Sequence, residues 1–292
     1  MTIVSKTLVF LSASIASLSL LAPSAQAGRG SSPAAIESAI RSGSVEAIQS
    51  ELERAEVLVC SACSKLVLPL VDHDDARVRQ VAAWWLVRRG GRSALFVEMA
   101  ERLGQPDSKL ARNAADVLGE MRMLKAIPSL SAALNNPAFD SEARASMAKA
   151  LGEIGHMGGL TALRQAMTAD KGEVRAAAAA ALRDLRGYTD PSPAAALLND
   201  GDAEVRLEAI DSIAYTRSQA MQSASGNAIV QSLVNLAASD PDERVRKKAV
   251  WALGEIGAPF HIAGPALQQA AAGDESPFVR SLAEAALGRL AR

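Results

Sequence analysis

Apolar residues recur along this chain at intervals of three and four, the period of a helix that buries one face. From residue 74 onward the pattern becomes one unit seen seven times: an acidic turn, a Val-Arg pair, a run of alanines and then leucine. The copies begin at Val78, Leu110, Ala143, Val174, Val205, Val245 and Val279, in steps of 32, 33, 31, 31, 40 and 34 residues. Four residues after each start stands alanine (Ala82, Ala114, Ala178, Ala209, Ala249 and Ala283), with Met147 in the third copy. Eight after it stands Leu or Ile: Leu86, Leu118, Leu151, Leu182, Ile213, Leu253 and Leu287. Positions 0, 4 and 8 share a helix face, so each unit carries an amphipathic helix with small residues where a neighbour approaches.

Ahead of each such helix lies an acidic loop, at Asp74-Asp75, Asp107, Asp140, Asp170, Asp202, Asp242 and Asp274, which predicts a cap on the helix start. A second apolar helix precedes the loop, as at 127–134, 160–167, 229–237 and 262–270. Each unit is therefore a helix pair, and a period of this length marks pairs that bury their apolar faces on one another. Arginine follows the start in six copies (Arg79, Arg144, Arg175, Arg206, Arg246, Arg280), with Ala111 in the gap; forked pairing to loop carboxylates would tie one repeat to the next. The 40-residue step predicts an extra surface loop between Tyr215 and Ala228. Residues 32–58 predict one or two capping helices, with Ser44 as a cap before Val45.

The segments Ala150-Leu151-Gly152-Glu153-Ile154-Gly155 and Ala252-Leu253-Gly254-Glu255-Ile256-Gly257 resemble the HEAT repeat, in particular its bilin-lyase-like subgroup. The resemblance covers roughly residues 58–292. It implies an all-α fold, a right-handed α-α superhelix of the armadillo/HEAT type with about seven helix pairs, and a lyase-like activity is the minor functional alternative it carries. The architecture also resembles that of deoxyhypusine hydroxylase, which holds iron with His-Glu dipeptides; no such dipeptide occurs in this sequence.

The amino terminus changes the picture of where this solenoid works. Lys6, an apolar stretch from Leu8 to Leu21 and Ala25-Gln26-Ala27 before Gly28 form the pattern of a secretory signal cleaved after Ala27. The expected organisation is a signal peptide at 1–27, a linker with capping helices at 28–57 and the solenoid at 58–292, with a periplasmic or secreted product. Without Lys6 the chain carries 30 Lys plus Arg against 32 Asp plus Glu. That balance gives no basic surface for nucleic acid.

Candidate chemistry is sparse. Cys60 and Cys63 are the only cysteines, and at i and i+3 they are close enough to form a disulfide. In an oxidising compartment a structural or incidental bridge is the first reading, and an accessory redox role the alternative. The stretch from Cys60 to Leu70 resembles the thioredoxin active-site helix, whose βαβ context this chain lacks. Ser64 stands where covalent haem attachment needs histidine. His73, His156 and His261 fall in different repeats, and no Gly-x-Ser-x-Gly elbow or phosphate-binding loop is present, so neither metal nor cofactor is expected.

With positions 0, 4 and 8 turned inward, positions 3, 6 and 10 of the second helices point away along the concave side. Positions 6 and 10 place Trp84, Arg88, Asp116, Glu120, Glu153, Asp184, Asp211, Tyr215, Trp251 and Glu255 on one stripe, acidic in the middle with aromatics towards its ends. The expected function is an exported scaffold that takes a protein partner with a basic, partly apolar surface on that face.

Overall fold

The computed structural model describes residues 30–216 and 224–291; the expected signal peptide lies outside the described residues. Every regular element among the described residues is helical. The chain opens with α1 (Pro33–Ser42) and α2 (Val45–Arg54), started by the hydroxyls of Ser32 and Ser44, which accept N–H bonds from Ala35 and Ala47 at 3.2 Å. Seven pairs follow: α3 (Cys63–Val67) with α4 (Ala76–Val87), α5 (Arg92–Leu103) with α6 (Ser108–Met121), and α7 (Ile127–Leu134) with α8 (Ser141–Ile154). After these come α9 (Leu160–Ala166) with α10 (Gly172–Asp184), α11 (Ser192–Ala195) with α12 (Ala203–Thr216), α13 (Ala224–Ser239) with α14 (Glu243–Glu255), and α15 (Phe260–Gly273) with α16 (Pro277–Leu290). This is the predicted α-solenoid of seven pairs behind a helical cap. Trp85 joins cap to array: its ring is fully buried and its indole N–H donates to the Ala55 carbonyl at 3.2 Å.

Two elements depart from the sequence-based expectation. α13 begins at Ala224, so part of the stretch expected as a loop up to Ala228 is helix; the burial of Ile229, Val230, Leu233 and Ala237 anchors a helix that starts a turn upstream of them. The rest of that stretch, 217–223, lies outside the described residues. α11 is a single turn, framed by Pro191 and Pro193, which lack backbone donors. Leu197 and Leu198 beyond it still reach the core.

The loop aspartates divide into two jobs. Asp75, Asp107, Asp140, Asp202 and Asp242 accept backbone N–H bonds at the helix starts, at 2.8 to 3.0 Å. Asp170 does not cap: α10 starts from Lys171 without a side-chain cap, and Asp170 lies 3.8 Å from Arg144 instead. Asp200, Asp240 and Asp274 take forked bonds from Arg175, Arg206 and Arg246, and each belongs to the repeat after its arginine. Each of these arginines also donates to a carbonyl of its own loop, such as Arg206 to Asp200 at 2.8 Å. At these three seams the arginine staples one repeat to the next. The Arg175 hydrogen bond holds the Asp200 carboxyl below its ordinary range.

The second helices also meet one another directly. A Cβ on Gly119 would stand 2.9 Å from Ala150 Cα, one on Gly152 3.0 Å from Ala181 Cα, and one on Gly254 3.3 Å from Ala286 Cα. Glycine nine residues after the start therefore lets α6, α8 and α10, and again α14 and α16, approach backbone to backbone. Val87, Arg183 and Ala214 hold the same position at the other seams. Five residues after the start, Ala83, Ala115, Ala148, Ala179, Ile210 and Val250 are buried, whereas the seventh copy has exposed Glu284, giving the last pair a polar outer face.

Two measurements test this account. Gly152→Ala should cost about 1–3 kcal/mol in urea unfolding, whereas Gly288→Ala, in the same register with open space around it, should be neutral or stabilising by up to about 1 kcal/mol. Equal effects would show that the glycine does not set the seam. Asp240→Ala strands the buried Arg206 and should cost about 3–5 kcal/mol, with amide protection lost first in α12 and α14. Because Asp200 has a depressed folded-state pKa, its contribution is complete above the unfolded value of about 3.9 and disappears as pH falls through the folded one; acid unfolding of Asp200→Asn should lack that component.

Candidate functional site

The outward stripe of the second helices forms three groups. The first lies across α4, α6 and α8. Arg88 stacks on Trp84, 4.4 Å from the ring centroid, and pairs with Glu120 at 3.4 Å and Glu56 at 3.9 Å. Asp116 lies 3.8 Å from Arg79, and Glu153 lies 3.6 Å from Lys149 with its carboxylate over Gly119, where a side chain would collide with it. Burial pushes the Asp116 carboxyl above its ordinary range against the pull of Lys149 and Arg79. Burial likewise raises Glu153, with the neighbouring charges of Asp116 and Glu120 acting in the same direction and Lys149 opposing.

The second group centres on Arg183, which occupies the position that is glycine in α6, α8 and α14. Its guanidinium lies 3.7 Å from both Glu208 and Asp211, 3.9 Å from Asp184 and 5.2 Å from the Tyr215 ring centroid. Lys248 of α14 also pairs with Asp211. Burial raises the Glu208 carboxyl, and its Oε2 is enclosed without a hydrogen-bond partner. The third group is Trp251 with Glu255, the latter bonded to Arg289 at 2.6 Å.

The stripe predicted from positions 6 and 10 thus exists, but as a ladder of alternating charges with acids facing cations of the same or the adjacent helix. Trp84 and Trp251 are half-buried against the core, so both seal seams while showing an edge; Tyr215, 63% exposed, stands free of the core. Position 3 departs from the expected outward direction in the first repeats, where Val81 and Asn113 are buried, because Asn113 turns in to bond Asp72 at 3.0 Å. Farther along, the same position supplies Glu208 and Lys248, which the reading of positions 6 and 10 missed. Among the described residues no group of His, Cys, Asp or Glu is placed to hold a metal ion.

Cys60 and Cys63 form the disulfide, with Cα atoms 5.3 Å apart. Cys63 is fully buried and Cys60 half-buried beside the first group, in a cavity that Arg88 also lines.

Helix pairs stapled in series and joined through glycine seams are the architecture that the family comparison then names. A model of HEAT repeats matches residues 96–183 and 191–288, more than half of the chain. The chain belongs to the HEAT-repeat family. The break between the two matched blocks falls just before the single-turn α11, where this HEAT solenoid is least regular. No curated protein sequence matches the chain. Among solved structures it is similar to importin beta (TM-score 0.62, 12% identity, 88% of this chain and 41% of that one) and to the E. coli protein YibA (0.55, 16%, 88% and 91%). It is also similar to an engineered protein (0.53, 21%, 88% and 77%). At these identities the likeness is one of fold.

Proposed function

We propose that this HEAT-repeat protein is an exported scaffold that holds a protein partner against the open face of its second helices. The glycine seams bring the second helices to backbone contact at α6–α8, α8–α10 and α14–α16, so their outward side chains form one continuous face. The observation that carries the reading is electrostatic. Asp116, Glu153 and Glu208 sit on that face with carboxyls raised by burial, and Glu208 Oε2 is enclosed without a hydrogen-bond partner. A partner bringing Arg or Lys side chains would supply positive charge there, and Trp84, Tyr215 and Trp251 offer rings for its apolar part. The export reading rests on the signal pattern of the first 28 residues.

Protein sequencing of the chain recovered outside the cytoplasm should begin at Gly28; a retained Met1 would remove the export reading. With a partner recovered from that compartment, calorimetry should show binding that weakens with salt. Trp251→Ala should cost about 1–3 kcal/mol of affinity, and Glu120→Lys with Glu153→Lys should weaken it too. The pH dependence has a fixed sign: the partner needs the ionised acids, so affinity is full above their raised pKa values and falls as pH drops through them, above the ordinary carboxylate range. If neither variant nor acidification lowers affinity, the face is only a solvated surface.

A further inference from the structure

The Cys60–Cys63 bridge closes a loop of sequence separation 3, too short to restrict the unfolded chain by much, so its contribution to stability does not explain it. Its surroundings are those of a reaction site. Cys63 is wholly enclosed in the core, while Cys60 stands at a cavity of about 460 Å³ and is the sulfur that a reagent meets first. Arg88 and Arg89 line the same cavity. Arg89 stacks on Trp85 at 4.1 Å and donates to the Ala55 carbonyl at 2.8 Å, yet its Nε is buried without a partner. Desolvation lowers its pKa, with Glu56 opposing and Arg88 adding to the effect. A thiolate at Cys60 would form at a cavity lined by two arginines, with the Cys63 backbone N–H 3.1 Å from its sulfur. The rim is apolar: Val57 and Val59 are 84% and 99% exposed in the segment that leads into Cys60.

We infer that Cys60 and Cys63 are a disulfide donor for protein dithiols, with the two valines receiving the apolar residues that flank the substrate cysteines. A substrate thiolate attacks Cys60 Sγ; the Cys60–Cys63 bond breaks, its electron pair leaves on Cys63 Sγ, and Cys63 takes up a proton. The second substrate thiolate then attacks the substrate's own sulfur in the mixed disulfide. Cys60 leaves as the thiolate, favoured by the two arginines, and is protonated in turn. The substrate loses two electrons and two protons and gains a disulfide; the chain gains both thiols.

The probe is the full-length oxidised chain mixed with an unfolded peptide that carries two cysteines flanked by leucine and valine, quenched in acid, alkylated and weighed. The bridge should pass to the peptide while circular dichroism stays helical. The double change Val57→Asp and Val59→Asp should slow the transfer at least about tenfold without slowing reduction by glutathione. Cys63→Ser, treated with glutathione disulfide, should form its mixed disulfide at Cys60, and Cys60→Ser should react only once unfolded. The transfer is read on a peptide without any scaffold partner, so failure of the scaffold reading and failure of this one are separable. The inference is overturned if the native wild-type bridge survives excess reduced glutathione and opens only in denaturant, or if the valine variants transfer as fast as wild type.

Discussion

The contact on which the array depends is the one between Gly119 and Ala150 and its repeats at Gly152 with Ala181 and Gly254 with Ala286. A helix pair of this length cannot bury its apolar stripe alone, and stacking removes it from water most completely where the second helices come within backbone reach of one another. The same approach builds the open face. Glu153 lies across α6 because Gly119 leaves it a place to lie, and there it loses enough water for burial to outweigh the pull of Lys149 on its carboxyl. The residue type that tightens the solenoid therefore also generates the electrostatic character of its candidate binding surface.

The forked arginines do a different kind of work. Arg175, Arg206 and Arg246 each bind their own loop through a carbonyl and the following repeat through an aspartate. Asp200, Asp240 and Asp274 each also accept a backbone N–H two residues on, so the acceptor is already fixed when the fork arrives. Buried pairs of this kind contribute little net energy over an apolar contact, but they allow one register between neighbours and penalise the others. Apolar stripes of alanine and leucine would slide; the staples stop them.

The period, the cap at Ser44 and the inward positions 0, 4 and 8 could be read from the sequence, because each is set by residues within one repeat; the arginines could be read as staples because they recur in phase with the loop aspartates. What could not be read depends on two repeats at once. Which aspartate caps and which receives an arginine is decided by the next loop, and Asp170 falls to neither role in the expected way. Arg183 carries no signal of its own in the sequence; its importance appears only when the equivalent position in α6, α8 and α14 is seen to be glycine. Glu208 and Lys248 were within reach, since they occupy position 3, but that position is buried at Val81 and Asn113 and outward later, a difference in packing and not in periodicity.

The substitution of Val87, Arg183 and Ala214 for glycine has a mechanical corollary. A stack whose joints were all alike would bend as a uniform rod. Here two glycine joints in succession hold α6, α8 and α10 at backbone contact, and the dispersion that resists opening is greatest where atoms already touch. Under a lateral load the Asp116–Glu153 segment would travel as one block while the stack around it bends.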